Sequence, residues 1–503
     1  MSLLPDQPTP ALRRTSTAPT PTRLAELDAW CLVVAPDAPP AGLEGLPHAE
    51  AIRALLARAR PRTGKTATLS LPTPRQTLLV VGVLAESASA FERLSLAGEM
   101  LRAALARAPQ RLALGAGPGR RDADEIAEAL AAAAFSQAFE LPNFARADGP
   151  RAALAEIDLR AGAALDLRRL QAAASAANLA RWLTALPPNL LDAAGYRRVL
   201  QGLARDTGLQ MQWLGEPQLR RLGAGAFLAV AAGNAARDAA GIARLSWQPP
   251  GRRNVPRIAL VGKGILFDTG GTNLKPHRSM LDMHTDMAGS AVALALLLAL
   301  AQLEAPFAID CWLAITENRI GPTAYRPQDV VRACNGTTIQ VIHTDAEGRM
   351  ALADTLALAA RREPRFILDF ATLTGACVYA LTERQSGVFT NRESLEPLLE
   401  SAGRRSGERV VCFPMPADYD ADLQSKVADV VQCAIEGKGD HILAARFLSR
   451  FVPASIAWAH VDLSSATRSG GLAHVATDVT GFGVRFALDL LLDQPLLRSL
   501  EAR

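Results

Sequence analysis

The stretch RIALVGKG, residues 257–264, is a run of apolar residues that ends in glycine and lysine, the pattern of a strand covered on both faces. The Ala- and Leu-rich stretch 288–303 follows it and is shorter than the roughly 18 residues needed to span a bilayer, so we expect a buried helix. Further apolar strands are predicted at 307–316, 337–343, 365–373 and 456–463. This series predicts an α/β fold with a mixed, largely parallel sheet covered by helices.

The N-terminal third has the same alternating character. Strands at 78–84 and 111–116 alternate with Ala-rich helical stretches near 49–60, 90–107 and 122–137. A chain of 503 residues is longer than a single hydrophobic core usually supports, so we expect a smaller N-terminal and a larger C-terminal α/β domain. We expect a disordered Pro/Thr-rich tail over 1–24, the N-terminal domain over 25–160, a connecting helix within 161–190 and the C-terminal domain over 191–503.

Composition limits the classes of partner. The 54 basic and 50 acidic residues are nearly balanced, without a basic block interleaved with aromatics, so nucleic acid is not indicated. The six cysteines lie far apart without a CxxC pair, which argues against a disulfide framework. The N-terminus lacks the apolar core of a signal peptide. We therefore expect a cytoplasmic protein with no membrane partner.

Residues 343–360, HTDAEGRMALADTLALAA, place several charges directly before a long apolar run. Thr344, followed three residues later by Glu347, fits a capping box, and acids suit the positive end of a helix. The same acids follow a predicted strand, and ligands of open α/β sheets bind at the carboxyl ends of strands. Asp345 and Glu347 are therefore candidates for both a structural and a ligand-binding role.

A second charged segment, VGKGILFDTGGTNLKPHRSMLDMHTDMAGSA, covers residues 261–291 and contains Lys263, Asp268, Lys275 and Asp286. A phosphate loop is not indicated, because neither GxxxxGK[ST] nor GxGxxG is present. The DTG at 268–270 resembles the signature of aspartic peptidases, but those enzymes need two such loops in an all-β body. Ordinary structural roles also remain open, namely a tight turn after Asp268, a helix cap at Asp286 and a surface pair for Arg349.

Taken together, the two segments predict a metal centre. The carboxylates supply oxygen ligands for two divalent cations, which can activate a shared water and polarise a carbonyl; they are Asp268, Asp286, Asp345 and Glu347. The seven histidines show no HExxH or other clustered spacing, so a histidine-based zinc site is not expected. A lysine serves as a ligand only beside strong positive charge, which favours its neutral amine.

The order and spacing of several motifs resemble the leucyl aminopeptidase (cytosol aminopeptidase) family of dinuclear metallopeptidases. The matching stretches are GKGILFDTGGTNLKP (262–276), MHTDMAGSA (283–291), HTDAEGRMALAD (343–354) and DFATLTGACVYAL (369–381), with NLARWLTALPPNLLD (178–192) and TGFGVR (480–485) outside them. The resemblance covers roughly residues 165–490. It implies a hydrolase that removes N-terminal residues of leucine type from peptides, with 191–503 as its catalytic domain.

The resemblance also implies roles for individual residues. One metal ion would be held by Lys263, Asp268, Asp286 and Glu347, and a second, more exchangeable ion by Asp268, Asp345 and Glu347. The ions would be Zn²⁺ or Mn²⁺. Lys275 would stabilise the oxyanion, and Arg349 would hold a bicarbonate ion acting as general base. Backbone near Leu373 and Gly375 would receive the substrate, and the assembly would be a homohexamer.

Some positions depart from the family pattern. His343 stands where the family usually has Asn, and we expect it to be a packed strand-end residue, although a role in the pocket stays open. In EGKGDHILAARFL (436–448), Asp440 and His441 replace a turn rich in small residues and make the leucine preference uncertain. A non-catalytic scaffold or regulator is the alternative function, but each expected ligand type is present, which favours the enzyme.

Overall fold

The computed structural model describes residues 3–36, 43–145, 153–234 and 239–500. The strands are β1 Ala11–Thr15, β2 Ala29–Val34, β3 Lys65–Ser70, β4 Leu78–Val83, β5 Arg111–Ala116, β6 Glu156–Arg160, β7 Gln210–Gly215, β8 Gly241–Trp247, β9 Arg257–Asp268, β10 Ala308–Asn318, β11 Val330–Arg332, β12 Thr338–Gln340, β13 Phe366–Ala371, β14 Ser386–Thr390, β15 Val410–Cys412, β16 Val430–Val431 and β17 Ala457–Asp462.

The helices are α1 Pro21–Leu24, α2 Ala49–Ala59, α3 Ala90–Leu105, α4 Ala123–Ala138, α5 Leu167–Ala185, α6 Ala193–Thr207, α7 Glu216–Leu222, α8 Gly225–Ala231, α9 His277–Met280, α10 Ala288–Gln302, α11 Glu347–Ala360, α12 Gly375–Leu381, α13 Glu396–Ser406, α14 Asp440–Ser449, α15 Val484–Leu492 and α16 Leu496–Ser499. The predicted α/β class is confirmed, because strands and helices alternate around mixed sheets.

The N-terminal sheet has the strand order β1-β6-β5-β2-β4-β3 and is parallel except for β3, which pairs antiparallel with β4. Helices α3 and α4 cover one face and α2 covers the other. One expectation was wrong. Residues 11–15 lie in the stretch predicted as a disordered tail, yet they form β1, which pairs in parallel with β6. The edge of β6 has unpaired backbone N–H and C=O groups, and the backbone groups of β1 form hydrogen bonds with them.

The larger sheet has the order β15-β14-β17-β13-β9-β10-β8-β7. Its centre is parallel, since β9 pairs in parallel with both β13 and β10, while β7, β8 and the β14–β17 pair add antiparallel edges. Helices α5, α6, α10 and α15 pack on one face, and α8, α11 and α14 pack on the other. The apolar run of β9 is therefore buried on both sides, as its composition predicts.

The stretch 337–343 differs from its prediction. Only Thr338–Gln340 is a strand, and it belongs to a separate three-stranded sheet of order β11-β12-β16. Asp345 therefore does not follow a strand of the large sheet. The apolar residues Ile339 and Val341 of this stretch are buried in the core that α11 shares with one face of the large sheet, so their apolar composition reflects burial without membership of that sheet.

Helix α10 starts against the backbone of the large sheet. A Cβ added at Gly289 would lie 2.1 Å from the carbonyl oxygen of Phe370, and one added at Gly262 would lie 2.5 Å from the Cα of Ser290. Glycine at both places lets the N-terminus of α10 approach β9 and β13. Within the described residues the stretch His277–Gln302 is long and apolar enough for a membrane span by length and composition, and 78% of an apolar 18-residue segment within it is buried inside the protein.

Candidate active site

Three chain segments meet beside the carboxyl ends of the central strands. β9 carries Lys263 and ends at Asp268, Asp286 directly precedes the first turn of α10, and Glu347 is the first residue of α11. The predicted capping box is not formed, because the N-cap is Ala346 and has no side-chain cap. The hydroxyl of Thr344 instead donates to the carbonyl of Gly270 at 2.6 Å. This bond joins the start of α11 to the DTGG turn.

Three buried carboxylates form the centre of the site. Asp268, Asp286 and Glu347 each place an oxygen so that the three atoms lie within 4.8 Å of one another. Burial raises the pKa of Asp286 to about 7 and raises the pKa of Asp268 well above its usual range. Burial alone would also raise the pKa of Glu347, but Lys263 and Lys275 outweigh it and lower that pKa. Such crowded acids repel one another and favour a bound cation.

Two lysines lie among these acids. The Nζ of Lys263 is 2.8 Å from Asp286 Oδ1 and 3.0 Å from Glu347 Oε1. The Nζ of Lys275 is 2.9 Å from Asp268 Oδ2 and 2.5 Å from Asp345 Oδ1. Burial alone would lower both lysine pKa values, but the neighbouring carboxylates raise them. The structure thus brings all five expected metal-ligand residues and Lys275 into one cluster.

The donor set fits divalent cations. Asp286 Oδ2 is buried and, among the described residues, accepts no hydrogen bond, although its partner oxygen accepts from Lys263 and from the hydroxyl of Thr372 at 2.7 Å. A buried carboxylate oxygen without a donor costs free energy unless a cation binds it. Oxygen ligands on several carboxylates suit Mn²⁺ and Mg²⁺, and carboxylates also bind Zn²⁺.

Two polar residues of the site were missed by the sequence analysis. Asn318 Nδ2 donates to Asp268 Oδ1 at 2.8 Å and to the carbonyl of Thr344 at 2.9 Å, so it holds the acid against the α11 loop. The hydroxyl of Tyr325 donates to the same carbonyl at 2.8 Å. A signal for Asn318 was available, because it ends the apolar strand β10 beside Asp268 on β9.

Arg349 is buried and already has an anionic partner. Its Nη1 donates to Asp440 Oδ1 at 2.9 Å and its Nη2 donates to Asp440 Oδ2 at 2.7 Å. Nη1 also donates to the carbonyl of Gln432 at 3.1 Å. The expected bicarbonate ion does not fit these contacts, because the carboxylate of Asp440 takes the guanidinium face that would bind it.

The residues that depart from the family pattern lie near Arg349. The expectation that His343 is a packed strand-end residue was wrong, because its side chain is exposed. Its Nδ1 accepts a hydrogen bond from the backbone N–H of Asp345 at 3.2 Å. His441 packs edge-on against Phe413, with ring centroids 4.7 Å apart. The backbone N–H of Leu373 donates to Asp462 Oδ1 at 3.1 Å, which fixes the loop after β13.

Comparison with known proteins adds independent observations. The family described as "Cytosol aminopeptidase family, catalytic domain" matches residues 178–488. A probable cytosol aminopeptidase of Rhodococcus opacus is 34% identical over 440 residues, which are 85% of this chain and 85% of that protein. Among solved structures, the bottromycin maturation enzyme BotP in complex with Mn has 32% identity and a TM-score of 0.80, covering 92% of this chain and 98% of its own. A tomato leucine aminopeptidase mutant has 25% identity and a TM-score of 0.84, covering 98% of both chains.

The buried acid cluster beside the strand ends of an α/β fold is typical of a metal-dependent enzyme. The chain belongs to the cytosol aminopeptidase family, since the family match covers well over half of it. It is accordingly a metal-dependent aminopeptidase that acts on peptides, and the scaffold and aspartic-peptidase alternatives are not favoured.

Proposed function

We propose that the enzyme uses two divalent ions, Zn²⁺ or Mn²⁺, to remove N-terminal residues of leucine type from peptides with broad tolerance. The observation that carries this proposal is the group of three buried carboxylates with oxygens within 4.8 Å, flanked by Asp345. Four acids in one place supply enough negative charge and enough oxygen ligands for two divalent ions. The Mn in the BotP structure supports a divalent ion of this kind.

Each residue has a proposed role. Lys263, Asp268, Asp286 and Glu347 would hold one ion, and Asp268, Asp345 and Glu347 would hold the other. When bound, such ions lower the pKa of a water molecule and polarise the scissile carbonyl. Asn318 and Thr372 orient two of the acids by donating to Asp268 and Asp286.

Lys275 is the proposed oxyanion stabiliser. It reaches the acid cluster from the loop after the DTGG turn, and its side chain is largely buried, with 14% exposed. A compact ammonium in a partly dehydrated site donates strongly to the oxygen on which negative charge develops. Loss of this group is therefore expected to lower kcat rather than metal binding.

The substrate pocket is proposed to lie beside α14. His441 there carries a ring nitrogen, Nδ1, that is buried and has no hydrogen-bond partner among the described residues. Its ring packs edge-on against Phe413, which in turn stacks on the buried Phe389, so the surface beside His441 is aromatic. We propose that this wall tolerates large apolar and aromatic N-terminal residues alongside leucine.

The test is hydrolysis of leucine p-nitroanilide and a panel of dipeptides after chelation and after addition of Mn²⁺ or Zn²⁺. Activity should vanish with the chelator and return with metal. Glu347→Gln should lose both ions and activity, whereas Lys275→Ala should keep the ions and lose roughly 100-fold in kcat. Metal content by mass spectrometry separates the two variants. An active, metal-free Glu347→Gln enzyme would contradict the proposal.

Asp354→Asn is a matched control for Glu347→Gln. Asp354 is also a buried acid of α11, but it accepts backbone N–H bonds from Phe227 at 2.8 Å and from Cys334 at 2.7 Å. The amide variant should lower stability while keeping both ions. If it lost metal as completely as Glu347→Gln, metal loss would report general damage to α11 rather than loss of a ligand.

Three further properties are proposed. We propose a homohexamer from the resemblance to the family, and a cytoplasmic location and a domain boundary near residue 160 from the patterns of this sequence. Large apolar side chains that are strongly exposed in the single chain, including Tyr379 at 92% and Ile435 at 88%, support burial of this surface by other subunits. Light scattering after size exclusion measures the assembly, and a mass of about one chain's 53.3 kDa would contradict the hexamer.

A further inference from the structure

Asp440 forms a bidentate ion pair with a guanidinium that lies inside the protein. Arg349 is 2% exposed and the side chain of Asp440 is 24% exposed. The two parallel bonds, 2.9 and 2.7 Å long, have the fork geometry that arginine offers to planar anions. Arg349 lies two residues after Glu347 on α11, so the pair borders the proposed metal-binding acids.

The local backbone is built to deliver this carboxylate. Asp440 is the first residue of α14, and the preceding Gly439 has φ 63°, in the left-handed region that favours glycine. Gly437 has φ 66°. The Gly-Lys-Gly turn thus brings the chain sharply back so that the helix begins with its carboxylate against Arg349.

Asp440 and bicarbonate have the same recognition chemistry. Both present two oxygens on one planar carbon, and one guanidinium face binds one such group. Burial alone would raise the pKa of Asp440, but Arg349 outweighs it and holds this pKa below its usual range, so the group is an anion at neutral pH. No second fork of Arg349 is free, because both Nη atoms donate to Asp440 and Nη1 also donates to Gln432, which leaves Nε, buried and without a partner among the described residues, as the one remaining nitrogen. A tethered carboxylate also has a high effective concentration.

We propose that Asp440 is the resident anion of Arg349, so that this enzyme neither binds nor needs dissolved bicarbonate at that position. The inference rests on the proposed catalytic role of the neighbouring acids. Asp440 is a positioning residue, because it touches Arg349 rather than a reacting atom. It orients the guanidinium and excludes soluble anions from the face beside α11.

The decisive variant is Asp440→Ala, which removes a group the size of formate. In carbonate-depleted buffer, the wild-type rate on leucine p-nitroanilide should not respond to added bicarbonate. The variant should lose roughly 10–100-fold in kcat and should recover at least part of it when bicarbonate or formate is added. Asp440→Asn keeps the shape without the charge, so neither anion should restore it.

Binding is measured separately from activity. Saturation-transfer NMR with ¹³C-bicarbonate should show binding to the metal-loaded Asp440→Ala enzyme and none to the wild type. This readout holds even if the substrate or metal assignment is wrong, so failure of the proposed function is distinguishable from failure of this inference. Asp440→Glu, which keeps the carboxylate, should regain most of the wild-type kcat without any added anion.

Asp420→Ala is the matched control. Asp420 forms a similar bidentate pair with Arg446 of the same helix, at 2.9 and 2.6 Å. Its loss should leave the rate on leucine p-nitroanilide at the wild-type value, and neither bicarbonate nor formate should change that rate. Two results with the wild type overturn the inference: binding of bicarbonate, or activation by it. Two results with folded Asp440→Ala also overturn it: a rate equal to that of the wild type, or binding of neither bicarbonate nor formate. If Asp440→Ala does not fold, bicarbonate binding is measured with the wild type and with Asp440→Asn instead. Binding to either protein overturns the inference.

Discussion

Gly348 leaves room for the amine of Lys263, and adding a single methyl group there should disturb the metal site. A Cβ at Gly348 would lie 2.6 Å from both the Cε and the Nζ of Lys263. Carbon atoms in contact prefer about 3.5–4.0 Å, so the lysine would have to move by about 1 Å. Its Nζ contacts, now 2.8 Å to Asp286, 3.0 Å to Glu347 and 2.9 Å to the carbonyl of Thr372, would stretch beyond hydrogen-bond length.

The size of the effect follows from these contacts. Breaking a buried charged pair costs about 3–5 kcal/mol, and replacing a helical glycine by alanine returns about 1 kcal/mol. We therefore expect Gly348→Ala to destabilise the protein by about 2–4 kcal/mol, from the difference of these values. Because Lys263 is only 3% exposed, it has no room to turn aside. Activity should fall roughly 10–100-fold, since Gly348 acts on the reaction only by positioning Lys263, the proposed metal ligand.

The assay combines metal content, kcat on leucine p-nitroanilide and the midpoint of urea unfolding. Gly202→Ala in α6 is the control, because a Cβ there would meet nothing within 4 Å. That variant should keep its metal and gain about 0.5–1 kcal/mol in stability. The reasoning is refuted if Gly348→Ala keeps full metal content and wild-type kcat, since the lysine would then tolerate the displacement.

Two other predictions concern Lys263 and a buried pair behind the site. Lys263→Arg should lose metal and activity despite keeping the charge, because a guanidinium does not release its proton to become a ligand; normal metal content by mass spectrometry would contradict this. Asp369→Asn should destabilise the protein by about 3–5 kcal/mol, because Asp369 Oδ1 lies 2.6 Å from His460 Nδ1 and Oδ2 accepts from Trp458 at 2.6 Å. Burial alone would lower the pKa of His460, but Asp369 outweighs burial and raises this pKa above its usual value of 6.5. The stabilisation by the pair is therefore fully present below pH 6.5 and is lost as the pH rises through the raised pKa of His460. Urea midpoints across this range should show that slope in the wild type and not in Asp369→Asn.

The central strands and the acids at their ends could be predicted from the sequence. The apolar runs of β9, β10, β13 and β17 are local patterns, and each is buried as expected. Of the four acids only Asp268 ends one of these strands, where α/β sheets bind ligands, whereas Asp286, Asp345 and Glu347 stand at or just before the starts of α10 and α11. The strand-end rule therefore located Asp268, and the grouping of the other three with it rested on the order and spacing of the motifs.

Local patterns failed where long-range contacts decide. Thr344 and Glu347 have the spacing of a capping box, but the Thr344 hydroxyl bonds to Gly270, 74 residues away. The Pro- and Thr-rich start has little local tendency to form a strand, yet β1 forms because the edge of β6 is available to it. Residues 337–343 are apolar enough for the large sheet, but only 338–340 form a strand, which pairs with β11 and β16 instead.

The sequence by itself determined the α/β class and the set of acids and lysines, because both depend on composition, periodicity and short motifs that are local in the sequence. Only the tertiary structure decided which group meets Arg349. Asp440 is 91 residues away along the chain, and nothing near either residue specifies the other. Their pairing exists because α11 and α14 pack on the same face of the large sheet, where a buried guanidinium must find an anion.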